Sequence, residues 1–144
     1  MNAGTGTAAE EVAAANEAFY AAVEVGDLDR LRDVCCRDRE LVCVHPGAEP
    51  IHGTGAVLRS WALIMANTDY IQFFLTDVSV NVSGDVAAVT CTENILTAQD
   101  EPPGQRSTGF QGGKAQALNV FVREEAGWRM WIHQASPVGS AGYE

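Results

Sequence analysis

A chain of 144 residues with 47% hydrophobic and 19% charged positions has the size and make-up of one globular domain, which excludes a disordered or fibrous protein. Its formal net charge of −10, from nine Lys plus Arg against nineteen Asp plus Glu, repels phosphate backbones and anionic lipid surfaces, so neither nucleic acid nor membrane is an expected partner. Cys35, Cys36, Cys43 and Cys91 lack zinc-ligand spacing and the N-terminus lacks the pattern of a secretion signal, so a cytoplasmic location without structural zinc is expected.

In chain order, Thr7 and Glu10 form a capping box ahead of Ala8 to Val25, where Val12, Ala15, Phe19, Ala22 and Val23 recur at helical spacing. Gly26 ends this helix, and Asp27 caps a short second one with Leu28, Leu31 and Val34 on its buried side. The arginines at 30, 32, 37 and 39 interleave with Asp29, Asp33, Asp38 and Glu40, the pattern of a solvated face. Leu41 to Val44 is a short strand ended by His45-Pro46-Gly47, and Gly53 leads into a third helix that turns Val57, Leu58, Trp61, Ile64 and Met65 inward.

The period then changes to two. Ile71 to Val82 and Val86 to Ala98 form a hairpin about Ser83-Gly84-Asp85, and Ala115 to Glu124 and Trp128 to Ser136 form another about Glu125-Ala126-Gly127. Between them, the prolines and glycines of residues 99–113 predict a mobile loop, and residues 139–144 a flexible tail. Three helices followed by an antiparallel meander make an α+β layer, a single domain over residues 8–138 in which a curved sheet leaves a concavity over the helices.

Strand parity sorts the side chains that could line that concavity. Arg129, Trp131, His133 and Ala135 share one face, as do Ala117, Asn119 and Phe121, while Thr90, Thr92 and Asn94 oppose Val89, Cys91, Glu93 and Ile95. The mixed polar and aromatic face is assigned to a small-molecule ligand and the apolar face to a second copy of the chain, a homodimer through the convex sheet face. On this assignment Glu93 points away from the ligand, as an interface or rim carboxylate.

Several motifs stand in a characteristic order: Asn16-Glu17-Ala18-Phe19 running into Gly26-Asp27-Leu28-Asp29, then Val44-His45-Pro46-Gly47, then Gly53 with Val57 and Trp61. Thr92-Glu93-Asn94-Ile95, Asn119-Val120-Phe121, Gly127-Trp128-Arg129 and His133 before Ala135-Ser136-Pro137 extend the series. In these motifs the sequence resembles the SnoaL-like branch of the nuclear transport factor 2-like superfamily, to which ketosteroid isomerases also belong. The resemblance implies a cone-shaped barrel, in which a strongly curved, mostly antiparallel sheet wraps over three N-terminal helices, the cystatin-like arrangement. It also implies that His45 stands where the isomerases keep an aspartate base. Phe19 corresponds to their oxyanion-binding tyrosine, with Tyr20 pointing elsewhere, and Asn119 to their oxyanion-binding aspartate.

The expected function is a cofactor-independent isomerase, cyclase or dehydratase acting on a small, apolar, oxygenated substrate of the polyketide or terpenoid type, a class that comes from the resemblance. The alternative is a non-catalytic ligand-binding protein or dimeric scaffold. His133 or His45 is the expected proton shuttle, with Asn119, Asn94 and Thr92 as hydrogen-bond donors to a carbonyl or enolate. A core histidine bonded to Asn119 is the competing reading of His133. Phe19, Tyr20, Trp61, Met65, Thr90, Phe121 and Trp131 complete the expected lining. Neither a metal nor a nucleotide cofactor is expected, because the histidines come from separate elements and no Gly-rich phosphate loop occurs.

Overall fold

A computed structural model describes residues 7–98 and 111–138. Helix α1 (Ala8–Val25) starts where the sequence places it: Thr7 accepts from the Glu10 N–H at 3.1 Å while Glu10 Oε1 accepts from the Thr7 N–H at 2.9 Å. It stops at Gly26, whose φ of 70° is left-handed and costs glycine nothing. Asp27 then caps α2 (Leu28–Val34) through the Arg30 N–H. Two ion pairs, Arg32 to Asp29 and Arg37 to Asp33, lie in solvent as the mixed charge pattern predicts.

Strand β1 (Val42–Val44) is followed by β2 (Ile51–His52), a two-residue pairing that the sequence does not reveal, and by α3 (Thr54–Ala66). The meander comprises β3 (Tyr70–Ser83), β4 (Val86–Ala98), β5 (Gln111–Glu124) and β6 (Gly127–Pro137). The described strands form one six-stranded sheet in the order β2-β1-β6-β5-β4-β3, with β1 parallel to β6 and the other neighbours antiparallel. The edge strand β3 and the inner strand β6 both reach α1: Tyr20 packs on Phe73 and Phe19 on His133. A sheet that touches one helix from both strands is curved around it, so the α+β cone is as expected.

Two irregularities set which side chains turn inward. On β3 the register shifts between Thr76 and Ser79, where Asp77 adopts a φ of 54°, a conformation Asp tolerates better than a β-branched residue. On β6 the ladder jumps so that Val120 faces Ile132 while Phe121 faces Met130, which leaves Trp131 as the extra residue of a bulge. The inward set on β6 therefore runs Trp128, Met130, then His133 and Ala135.

Of the predicted loop, residues 99–110 lie outside the described residues, as does the predicted tail at 139–144. The loop's last three positions belong to β5, with Gln111, Gly112 and Gly113 paired to Thr97, Leu96 and Ile95. Glycine weakens a strand locally, but here it continues a ladder already carried by apolar neighbours. Among the described residues no helix is long and apolar enough to cross a membrane.

Candidate functional site

The face of α1 that enters the cone carries more than its apolar stripe. Asn16 and Tyr20 are one helical turn apart and buried with Val12, Phe19 and Val23. Opposite them, β4, β5 and β6 bring Glu93, Asn119 and His133 to the same face, because directly paired residues share a face: His133 pairs with Asn119, and Asn119 with Val89. Alternation then turns Cys91 and Glu93 inward along with Val89.

These groups form one continuous hydrogen-bond network. The Tyr20 hydroxyl donates to Glu93 Oε2 at 2.6 Å. Asn119 gives its two amide hydrogens to the Tyr20 oxygen at 3.1 Å and to Asn16 Oδ1 at 2.8 Å. Its Oδ1, 2.6 Å from His133 Nδ1, can then only accept, so the network assigns the ring proton of His133 to Nδ1 and leaves a lone pair on Nε2. Asn119 is 0% exposed and Glu93 and His133 are each 3% exposed, so water does not compete for these bonds.

A pocket of about 120 Å³ opens beside the network, lined by His45, Trp61, Phe73, Glu93, Ile95 and His133 among others. His45 reaches it from the Pro/Gly turn after β1 and rests edge-on against Trp61, 4.7 Å between ring centroids. Ser60 donates its one hydrogen to the Val57 carbonyl at 2.6 Å, so His45 must donate its Nε2–H to the Ser60 oxygen at 2.8 Å. The two histidines thus hold opposite tautomers.

Burial shifts all three titratable groups of the pocket. Burial, reinforced by nearby His45, pushes His133 down to about 3, and burial also lowers His45. Burial raises Glu93 above its ordinary 4.5 even though the Tyr20 hydrogen bond partly opposes the shift. A proton added to this site therefore goes to Glu93 before His133. At neutral pH both imidazoles of the pocket are uncharged. Among the described residues no three His, Cys, Asp or Glu side chains are grouped to hold a metal ion.

Several facing expectations are corrected. Thr90, Thr92 and Asn94 stand on the outer face: Thr90 pairs with Leu118, Thr92 accepts from the Gln116 amide at 2.9 Å, and Asn94 donates to the Phe74 carbonyl at 2.9 Å. Glu93, assigned to the outside, is inside. Trp131 does not line the pocket; its bulge places it under the Arg39 guanidinium, 5.0 Å away. Tyr20, expected among the ligand-lining residues and, by the resemblance, to point elsewhere than Phe19, lies at the centre of the network between Glu93 and Asn119. Phe121 is fully buried opposite Met130, in the core behind the site, and Met65 borders a separate depression with Val23 and Glu24. Phe19 supports His133, their ring centroids 4.8 Å apart, and Trp61 and His45 line the pocket as expected. His133 is bonded to Asn119, as the core reading supposed, and also lines the pocket.

Asn16, Cys91 and Glu93 are the site neighbours that sequence reasoning missed. The run Ala87, Val89, Cys91, Glu93 carried the signal, since its small apolar members at alternate positions mark the inward face of β4.

A family model described as a SnoaL-like domain matches residues 12–140. Among solved structures, the chain is similar to a proposed dehydratase of the NTF2-like family from Streptomyces avermitilis, with 48% identity, a TM-score of 0.85, and coverage of 91% of this chain and 97% of that one. It is also similar to a proposed calcium/calmodulin-dependent protein kinase type II association domain from Thiobacillus denitrificans, with 33% identity, a TM-score of 0.74, and coverage of 88% and 94%. An NTF2-like protein with a cystatin-like fold from Novosphingobium aromaticivorans, 24% identical with a TM-score of 0.67 over 92% of this chain and 83% of that one, shares the fold. No curated protein matches.

Proposed function

This chain belongs to the SnoaL-like domain family, and from that premise we propose that it is a cofactor-independent acid/base enzyme of the dehydratase or isomerase type. The observation that carries the reading is Glu93, a carboxylate buried in an apolar pocket and held at one oxygen by Tyr20. Burial raises its proton affinity toward the range where a carboxylate can accept a proton from a substrate and return it. In a dehydration, Glu93 takes a hydrogen from carbon, the C–H electrons form the double bond, and the departing hydroxyl leaves as water with the proton that Glu93 returns. Asn119 and Tyr20 act as positioning residues, because their hydrogen bonds are made to Glu93 and His133. At about 120 Å³ the pocket is close to the ~150 Å³ cavity that accommodates benzene, so the reacting part of the substrate is about one ring in size.

Similarity to the Streptomyces protein supports this class. A second reading, an assembly module without catalysis, is favoured by the similarity to the Thiobacillus association domain. Homodimerisation remains a proposal under either: the outer face exposes Phe74 (51%) and Leu118 (38%). Incubation of one-ring alcohols in D2O separates the two functions. Deuterium uptake at carbon or loss of water, abolished by Glu93→Gln, supports the enzyme, whereas inertness across the panel alongside a defined oligomer supports the module.

A further inference from the structure

The side-chain hydrogens around the pocket are already committed. Tyr20 gives its hydroxyl hydrogen to Glu93, His133 its Nδ1–H to Asn119, and His45 its Nε2–H to Ser60. The Trp61 indole N–H is directed at the Cys43 thiol, whose rise on burial it opposes. Among the described residues, what these groups leave for a ligand is lone pairs, on the Glu93 carboxylate and on His133 Nε2, within walls that are otherwise apolar.

We infer that the pocket takes its ligand by a hydroxyl group, which donates to Glu93 or His133, and that it discriminates against carbonyl groups. This assignment rests on the acid/base reading for its catalytic meaning but not for its binding claim. With Glu93 ionised, a carbonyl oxygen placed here would meet two acceptors and no donor, so it would lose its water and gain no hydrogen bond. The preference also bears on chemistry. With no free donor to stabilise an enolate oxygen, the acidity of the C–H bond must come from the substrate itself, and the site contributes proton transfer rather than carbonyl activation.

Matched one-ring probes test this directly: phenol against anisole, and cyclohexanol against cyclohexanone, titrated into the full chain by calorimetry and by amide NMR shifts. The hydroxyl member of each pair is expected to bind about tenfold or more tightly, as one charge-assisted hydrogen bond allows. Glu93→Gln turns an acceptor into an amide donor, so the cyclohexanol-to-cyclohexanone ratio is expected to fall about tenfold or more in that variant. Equal or tighter binding of the ketone by the unmodified protein overturns the inference, as does binding of none of the four probes. A hydroxyl preference in a protein that never exchanges a carbon-bound hydrogen would remove the acid/base reading and leave this one standing.

Discussion

Tyr20 and Glu93, 73 positions apart in the chain, meet at 2.6 Å, with the phenol donating to the carboxylate. Burial raises the Tyr20 hydroxyl above its usual value first, and the negative charge of Glu93 raises it further, so the hydrogen stays on the phenol and the charge on the carboxylate. Asn119 couples this pair to His133, which makes the four residues one unit.

Tyr20→Phe removes the hydrogen bond that holds Glu93 down, so the Glu93 carboxyl is expected to titrate higher than in the unmodified protein. The carbonyl-stretch infrared band of the protonated acid follows this. One Asn119 N–H also loses an acceptor in a dry site, at a cost of about 1–3 kcal/mol in denaturant unfolding.

Stability falls in acid through His133. The unfolded chain protonates this group at 6.5 and the folded chain only at about 3, so its contribution is whole above pH 6.5 and is lost toward pH 3, by up to about 1.4 kcal/mol per pH unit. His45, also lowered, acts in the same direction. Urea unfolding of His133→Gln across this range is expected to show a shallower acid limb.

Glu93 has the opposite sign. Its raised pKa gives a contribution that is present below 4.5 and lost as pH rises through the folded value, so the ionised form costs stability at neutral pH. Glu93→Gln is expected to unfold at higher urea than the unmodified protein at pH 7 and to show a steeper acid limb. The same variant is expected to lose about 10²–10⁴-fold in proton-transfer rate, measured as deuterium exchange at carbon.

The elements were largely legible because their signals are local. Thr7 with Glu10, Gly26 and Asp27 set the helix ends, and Ser83-Gly84-Asp85 set the first hairpin. The site was less legible because facing is a property of pairs. The β4 residues Thr90, Thr92 and Asn94 look like a pocket face in isolation, and only the pairing of Val89 with Asn119 turns them outward. Trp131 is turned out of the pocket by a bulge that one strand's alternation does not reveal. A polar residue on a helix, such as Asn16, by itself suggests water, whereas here it accepts a hydrogen bond from Asn119.

Leu118→Glu on the outer face tests the proposed dimer. Sedimentation is expected to give a dimer for the unmodified chain and a monomer for the variant, while a monomeric unmodified chain would remove the proposal.

The central claim is that a proton entering this pocket settles on Glu93 and not on His133. A pH titration followed by NMR, reading the Glu93 carboxyl carbon and both His133 ring nitrogens, measures it in one sample. The predicted result is a Glu93 midpoint above 4.5, with His133 still neutral and carrying its hydrogen on Nδ1 at that midpoint. A His133 ring that becomes charged while Glu93 is still ionised would contradict it.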